Sequence, residues 1–138
     1  MAARIRIPEM TTRRLDHRAS FTAQSCAAAR AKETMQPPGR RLLNDPYARF
    51  FVHDRFLRTW LIQPLVARAF IKLRNRVFGP AGHLFTVLRV RYTDDAIDTA
   101  INDGIEQIVL LGAGFDTTAI RATIPAPVRI FEVDAPTT

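Results

Sequence analysis

A glycine turn and a downstream aspartate are the residues whose types and spacing could do chemistry. The turn GAGFD puts Gly112 and Gly114 directly after the apolar run QIVLL, and Asp134 ends the later run VRIFEVD. Short apolar, β-branched runs are typical of buried parallel strands. Such a turn presents backbone N–H groups to a ligand, and a carboxylate at the end of the next strand can accept hydrogen bonds from both ribose hydroxyls. The pattern predicts a nucleotide-cofactor site; the alternative is a turn that only packs a helix on a sheet.

The residue at position 117 narrows the choice of cofactor. A dinucleotide fingerprint has a third glycine there, and this chain has Thr117. Close approach of a pyrophosphate is therefore disfavoured, whereas an adenosyl cofactor without phosphates tolerates a less open turn. We predict S-adenosyl-L-methionine, with a nicotinamide dinucleotide as the weaker alternative. Asp116, the preceding residue, is interpreted as a cap for the following helix.

Helix patterns fill most of the chain before the turn. They are predicted over about 21–34, from Asp45 and Pro46 onward, over 54–78 with a break at Pro64, and over 82–102. The last helix would bury a stripe formed by Leu84, Leu88, Ile97 and Ile101, and Gly104 would end it in a left-handed conformation. The segment TTAIRATI after the turn predicts one more short helix. The predicted fold is α/β, with an N-terminal helical segment followed by the start of a doubly wound, Rossmann-like sheet.

The same patterns divide the chain into three parts. We predict a flexible basic extension over 1–18, the helical segment over 19–104, and the first β-α-β unit of an incomplete domain over 105–138. The net charge of +7 raises nucleic-acid binding as an alternative, but the arginines are spread rather than clustered with stacking aromatics. No apolar run is long enough to span a membrane and no signal-peptide core is present, so a cytoplasmic protein is expected. The single cysteine, Cys26, excludes an internal disulfide framework and is interpreted as a small packed residue.

Three separated motifs carry a family resemblance: LLGAGFDTTAIR with FEVDAP, TAQSCAAARAKE with LLNDPYARFF, and RVRYTDDAI. In sequence and order they resemble the S-adenosylmethionine-dependent methyltransferases of the leucine carboxyl methyltransferase type, including the actinobacterial group. The similarity covers roughly residues 19–138. The resemblance implies that S-adenosyl-L-methionine is the cofactor, that Gly112 and Gly114 form its turn, and that Asp134 holds the ribose hydroxyls.

The resemblance also implies a site for the carboxylate of the methionine moiety. It puts Arg91 near that carboxylate, with Arg30 beside it. The alternative for Arg91 is an exposed helical ion pair with Asp94 or Asp95. The methyl acceptor is expected to be a small molecule or a carboxylate-bearing group, and its identity is not readable from the sequence. A carboxylate acceptor is already ionised near neutral pH, so no general base is required and no catalytic residue is predicted.

Only two strands are readable, whereas doubly wound sheets commonly have about six. Two strands alone leave apolar faces and edges uncovered. We therefore expect a truncated form or fragment of such an enzyme. Three hypotheses follow: a methyltransferase of this family, a non-catalytic remnant of one, and, ranked last, a basic nucleic-acid-binding module.

Overall fold

A computed structural model of the chain describes residues 21–134, apart from positions 64, 67, 70–71, 74–75 and 77–80 and the side chains of 81–83. The elements in chain order are α1 (Phe21–Thr34), a 3₁₀-helix (Ala48–Phe51), α2 (Arg55–Ile62), α3 (Ala81–Asn102), β1 (Gln107–Leu111), α4 (Thr118–Arg121) and β2 (Arg129–Val133). The described residues between 65 and 76 are helical as well. Helices therefore precede a β-α-β unit, as predicted. The extension predicted over 1–18 and the break predicted at Pro64 lie outside the described residues.

The buried face of α1 consists mainly of alanines, which also favour the helix itself. Ala27 and Ala28 are fully buried, and this small-residue face lets the 3₁₀-helix and α2 approach closely. From α2, Leu57 and Trp60 fill the space and are at most 2% exposed. Complete burial of a leucine side chain contributes about 1.5–3 kcal/mol, so this contact is a main source of cohesion between the helices.

A buried glutamine fixes the point where α2 begins. The side-chain oxygen of Gln24 accepts hydrogen bonds from the backbone N–H groups of His53 and Asp54, at 2.8 and 2.7 Å. Asp54 is the N-cap of α2, and its carboxylate accepts the N–H of Leu57 at 3.0 Å. The start of α2 is therefore attached to α1 by polar contacts as well as by the apolar core.

The helix predicted from Asp45 and Pro46 is only one 3₁₀ turn. Asp45 has the expected capping role, because its carboxylate accepts the N–H groups of Tyr47 and Ala48 at 3.2 and 3.0 Å. The turn ends because Val52 is extended, with φ −96° and ψ 94°, and enters the apolar core at 3% exposure. A new helix then starts at Asp54.

The stripe predicted for α3 was wrong at two positions. Leu84 and Leu88 are 46% and 49% exposed. Among the described side chains of α3, Ile97 is buried as predicted, and the other buried residues are Val87 and Val90. Leu43, which precedes the 3₁₀-helix, packs with the two valines in a second small core. The buried face is therefore set by a distant loop, which the helical pattern alone does not reveal.

The end of α3 is the one predicted. Gly104 has a φ of +89°, and its N–H donates to the carbonyl of Ile101 at 3.0 Å. The N–H of Ile105 donates to the carbonyl of Ala100 at 2.9 Å. These two bonds form a Schellman motif, which requires a left-handed residue at this position. The chain leaves the helix there and enters β1.

The two strands pair in parallel, with Val109 opposite Phe131. This confirms the β-α-β connection, although α4 is shorter than the segment TTAIRATI predicts. The expectation of a buried strand was wrong, since Leu111 is 79% exposed and β1 has no fully buried residue. Two strands leave most of both sheet faces open, which explains the difference.

Candidate functional site

The turn after β1 has the backbone geometry that glycine permits. Gly112 and Gly114 have φ values of +67° and +59°, in the left-handed region that other residues rarely adopt. The N–H of Gly112 donates to the carbonyl of Val133 at 2.8 Å, so the turn lies beside the carboxyl end of β2. A Cβ added at Gly112 would meet no atom of the described residues within 4 Å. Backbone conformation, and not crowding by this chain, therefore requires the glycine.

Asp134 lies at the same edge of the sheet. It follows the last residue of β2 and is exposed, and its carboxylate accepts a hydrogen bond from the N–H of Gly114. The structure thus brings together the two glycines and the aspartate that the sequence singles out. Each of them lies at the carboxyl end of a parallel strand, where doubly wound folds bind their ligands.

A cavity of about 390 Å³ opens between this turn, α1 and α3, and we call it the turn cavity. The turn and the end of β1 form one wall, through residues 109–116. The helices contribute Ala23, Cys26, Arg30, Arg89, Val90 and Thr93. The cavity therefore combines backbone groups of the turn with two cationic side chains, one from each helix.

Cys26 is half-buried and lines the turn cavity. The cysteine is therefore less enclosed than the small packed residue that the sequence predicts.

Arg30 connects α1 to the turn by a hydrogen bond to the carbonyl of Phe115. It is only 4% exposed, and its Nε donates to Asp45 Oδ2 at 2.8 Å while its Nη2 donates to the carbonyl of Phe115. The ring of Phe115 stacks on Phe51 of the 3₁₀-helix, with centroids 5.3 Å apart. The turn is thus anchored in the helical segment by a hydrogen bond and by a ring contact.

Arg91 lies on a different face of α3 from the turn cavity. Its Nε donates to both carboxylate oxygens of Asp95, at 2.8 and 3.0 Å, and both side chains are more than half exposed. This hydrogen bond and the negative charge of Asp95 raise the pKa of Arg91 above its ordinary value. Arg91 is therefore seen in the helical pair that the sequence offered as the alternative to a ligand role.

Arg89 lines the turn cavity, although the sequence does not single it out. Arg91 instead lines a second cavity of about 390 Å³. Residues two apart on a helix point about 200° away from each other, so both arginines cannot face one ligand. The motif RVRYTDD contains both, and only the burial of Val90 against Leu43 reveals which one faces the turn.

The segment that follows the turn is held by a polar network. The carboxylate of Asp116 accepts the N–H of Thr118, the first residue of α4, at 2.6 Å, although the N-cap position itself is occupied by Thr117. The hydroxyl of Thr117 donates to Asp45 Oδ2 at 2.6 Å and accepts from Arg121 Nε at 3.1 Å. Thr117 and Thr118 are each 1% exposed. The threonine found in place of a third glycine thus has a buried polar role.

Arg121 extends this network to α3. Its Nη1 and Nη2 each lie 2.6 Å from an oxygen of Asp94. Burial acts to lower the pKa of Arg121, but the hydrogen bonds and negative charge of Asp94 outweigh it, and the pKa is raised. We call the neighbouring second cavity the aspartate cavity, because Asp94, Asp95 and Asp98 line it together with Arg91 and Arg121.

Among the helices that the structure describes, none combines the length and apolar composition that a bilayer crossing requires.

The sequence is similar to longer bacterial proteins that are provisionally named S-adenosyl-L-methionine-dependent methyltransferases. One from Frankia alni (strain DSM 45986 / CECT 9034 / ACN14a) is 36% identical over 113 residues, which cover 82% of this chain and 37% of that protein. One from Mycolicibacterium paratuberculosis is 36% identical over 119 residues, covering 83% and 36%. One from Streptomyces coelicolor is 35% identical over 115 residues, covering 83% and 38%. The chain therefore spans a little over a third of the length of these relatives.

The sequence model of the family described as leucine carboxyl methyltransferase matches residues 23–138, which includes both the helical segment and the β-α-β unit. The match covers the turn, Asp134, Arg30 and Arg89 together. With identities of 35–36% to the three relatives, it shows that the chain belongs to the leucine carboxyl methyltransferase family.

Proposed function

We propose that this chain holds the cofactor of an S-adenosyl-L-methionine-dependent methyltransferase at the turn cavity. The observation that carries the proposal is the meeting of two left-handed glycines and an exposed carboxylate at one sheet edge, beside a cavity lined by arginines. Family membership and the names of the relatives point to the same cofactor.

The residues present fit the chemistry of that cofactor. Its ribose offers two hydroxyl donors, and Asp134 is an exposed acceptor at the end of β2. Its methionine part carries a carboxylate, for which an arginine guanidinium is a suitable partner. It has no phosphate, so the buried Thr117 after the turn is no obstacle. The open space beside Gly112 leaves room for a ligand against the backbone.

Each residue then has a separate role. Gly112 and Gly114 form the turn, and Asp134 binds the ribose hydroxyls. Arg89 takes the role that the resemblance assigns to Arg91, because Arg89 lines the turn cavity. Arg30 supports the turn through the carbonyl of Phe115 and lines the same cavity.

The cofactor supplies an electrophilic methyl group when it is bound. The protein's part is to align the acceptor and to exclude water. We propose a small-molecule or carboxylate-bearing acceptor and, as the reaction, carboxylate O-methylation, which agrees with the family's description. An ionised carboxylate needs no general base, so no catalytic residue is assigned. A cytoplasmic location stays a prediction.

Calorimetric titration with S-adenosylhomocysteine tests the proposal. We expect saturable binding by the unmodified chain and a loss of at least about tenfold in affinity for Asp134→Ala, since hydrogen bonds to a charged group contribute about 1.5–3 kcal/mol. Glu132→Ala is the matched control, because it removes an exposed carboxylate two residues before Asp134, within β2. Equal weakening by both variants would contradict the role of Asp134. Absence of binding by a folded sample, or preference for NAD, would contradict the cofactor assignment for this chain.

A further inference from the structure

Asp45 is a buried carboxylate whose hydrogen bonds reach both the helical segment and the cofactor turn. Its side chain is 0% exposed. Oδ1 accepts the N–H groups of Tyr47 and Ala48, at 3.2 and 3.0 Å. Oδ2 accepts Arg30 Nε at 2.8 Å and the Thr117 hydroxyl at 2.6 Å. All four donors compensate the burial of one negative charge, as a carboxylate inside a protein requires.

Both partners of Oδ2 lead to the turn. Arg30 Nη2 donates to the carbonyl of Phe115, and Thr117 is the residue that precedes α4. Oδ2 of Asp45 therefore fixes the chain at two points that are two residues apart, Phe115 through Arg30 and Thr117 directly. The peptide between these points includes Asp116, whose N–H donates to the carbonyl of Ala113 at 2.9 Å and closes the turn.

We propose that Asp45 is a positioning residue for cofactor binding: it holds the glycine turn in the binding conformation through Arg30 and Thr117. This inference rests on the proposed function and adds a residue that does not line the turn cavity and lies 72 positions before Thr117. With Arg30 and Arg89, Asp45 is a further residue of the helical segment that acts on the site, although the glycines and Asp134 belong to the β-α-β unit.

The negative charge is the property that matters at position 45. An asparagine has one acceptor oxygen and one NH₂ donor. If the asparagine oxygen faced Arg30 and Thr117, its NH₂ would face the N–H groups of Tyr47 and Ala48. In the opposite orientation, the NH₂ would face Arg30 and Thr117. In the first orientation the N–H groups of Tyr47 and Ala48 lose their acceptor, and the one at Ala48 is buried. In the second, buried Arg30 Nε loses its acceptor, although the Thr117 hydroxyl could accept from the NH₂. Asp45→Asn should therefore loosen the contact with little change in volume.

Two variants on the partner side separate positioning from general folding. Thr117→Val removes the hydroxyl and keeps the shape, whereas Thr117→Ser keeps the hydroxyl and should restore the wild-type behaviour. Thr99→Val is the matched control, because the Thr99 hydroxyl donates within α3, at 2.8 Å to the carbonyl of Asp95, and Thr99 lines neither cavity. This control reports the effect of removing a threonine hydroxyl at an exposed helical position, and Thr117→Ser reports the effect of substitution at the buried position.

Amide hydrogen exchange at the turn is the first measurement, since it requires no ligand. The relevant N–H groups belong to Gly112, Ala113, Gly114 and Asp116. We expect these amides to exchange about tenfold faster in Asp45→Asn and in Thr117→Val. The exchange rates of the α1 amides should change only as much as the variant's global free energy of unfolding requires. Thr117→Ser and Thr99→Val should exchange like the wild type. A uniform change over the whole chain, or no change at the turn, would overturn the inference.

Titration with S-adenosylhomocysteine is the second measurement. In Asp45→Asn and Thr117→Val, the dissociation constant should rise by about tenfold while Thr117→Ser stays near the wild type. Unchanged affinity in a variant whose turn has loosened would overturn the positioning role. If the wild type itself does not bind, the proposed function fails for this chain, and the exchange data still decide whether Asp45 holds the turn. The two failures are therefore distinguishable.

Discussion

Arg89 and Arg91 lie two residues apart on α3 and line different cavities. Arg89 borders the turn cavity, and Arg91 is paired with Asp95 beside the aspartate cavity. Of these two arginines, Arg89 is therefore the one placed to approach a ligand that contacts Gly112. We therefore expect the two chemically identical side chains to contribute differently to ligand affinity.

Replacing each arginine by glutamine tests this assignment. We expect Arg89→Gln to weaken binding of S-adenosylhomocysteine by at least about tenfold, because a charge-assisted bond to the ligand's carboxylate contributes about 1.5–3 kcal/mol. Binding of 5′-methylthioadenosine, which has no carboxylate, should be unchanged in the same variant. Calorimetric titration of both ligands provides the measurement.

Arg91→Gln is the matched control for that experiment. It removes the same charge from the same helix, and its affinity for both ligands should stay near the wild type. If Arg91→Gln weakens S-adenosylhomocysteine binding selectively and Arg89→Gln does not, the roles are reversed and the resemblance-based assignment is correct.

Labelling of Cys26 reports on the same cavity. Cys26 is the chain's single cysteine and lines the turn cavity, so its alkylation by iodoacetamide can be followed without further engineering. We expect saturating S-adenosylhomocysteine to slow the labelling several-fold, because a bound ligand blocks access to the thiolate. Asp134→Ala should lose this protection at the same ligand concentration. An unchanged rate in the presence of bound ligand would show that the ligand occupies another place.

The glycines and Asp134 could be predicted from the sequence because their signal is local. A strand, a turn and a second strand follow each other, and Gly112 and Gly114 need a left-handed backbone that few other residues tolerate. Parallel pairing then brings Asp134 to the turn without information from the rest of the chain.

The residues that support the turn could not be predicted in the same way. Asp45 and Thr117 are far apart in the sequence, and each has an ordinary local interpretation, as a cap and as a missing third glycine. Likewise, the helical pattern of α3 does not indicate whether Arg89 or Arg91 faces α1, because the packing of Leu43 decides it. Contacts between distant segments determine these roles, and local sequence preferences do not predict such contacts.

The pair formed by Asp94 and Arg121 should stabilise the fold measurably. The side chains of Asp94 and Arg121 are 18% and 10% exposed, and Arg121 Nη1 and Nη2 each donate to an Asp94 oxygen at 2.6 Å. In a double-mutant cycle with Asp94→Asn and Arg121→Met, we expect a coupling of about 1–2 kcal/mol in the free energy of unfolding. Urea denaturation of the four proteins measures it. The exposed pair of Arg91 and Asp95 is the control, and a coupling there as large as in the partly buried pair would contradict the role of burial.

Gly104 and Gly39 give a matched test of backbone conformation. A Cβ added at either position would meet no atom within 4 Å in the part of the chain that the structure describes, but of the two only Gly104 has a positive φ, at +89°. We therefore expect Gly104→Ala to lower the free energy of unfolding by about 1–2 kcal/mol, the cost of a left-handed alanine. Gly39→Ala should be neutral or slightly stabilising, since it restricts the unfolded chain without strain. Thermal and urea unfolding of both variants provide the measurement. Equal destabilisation by the two substitutions would show that the Schellman motif at the end of α3 contributes nothing particular to stability.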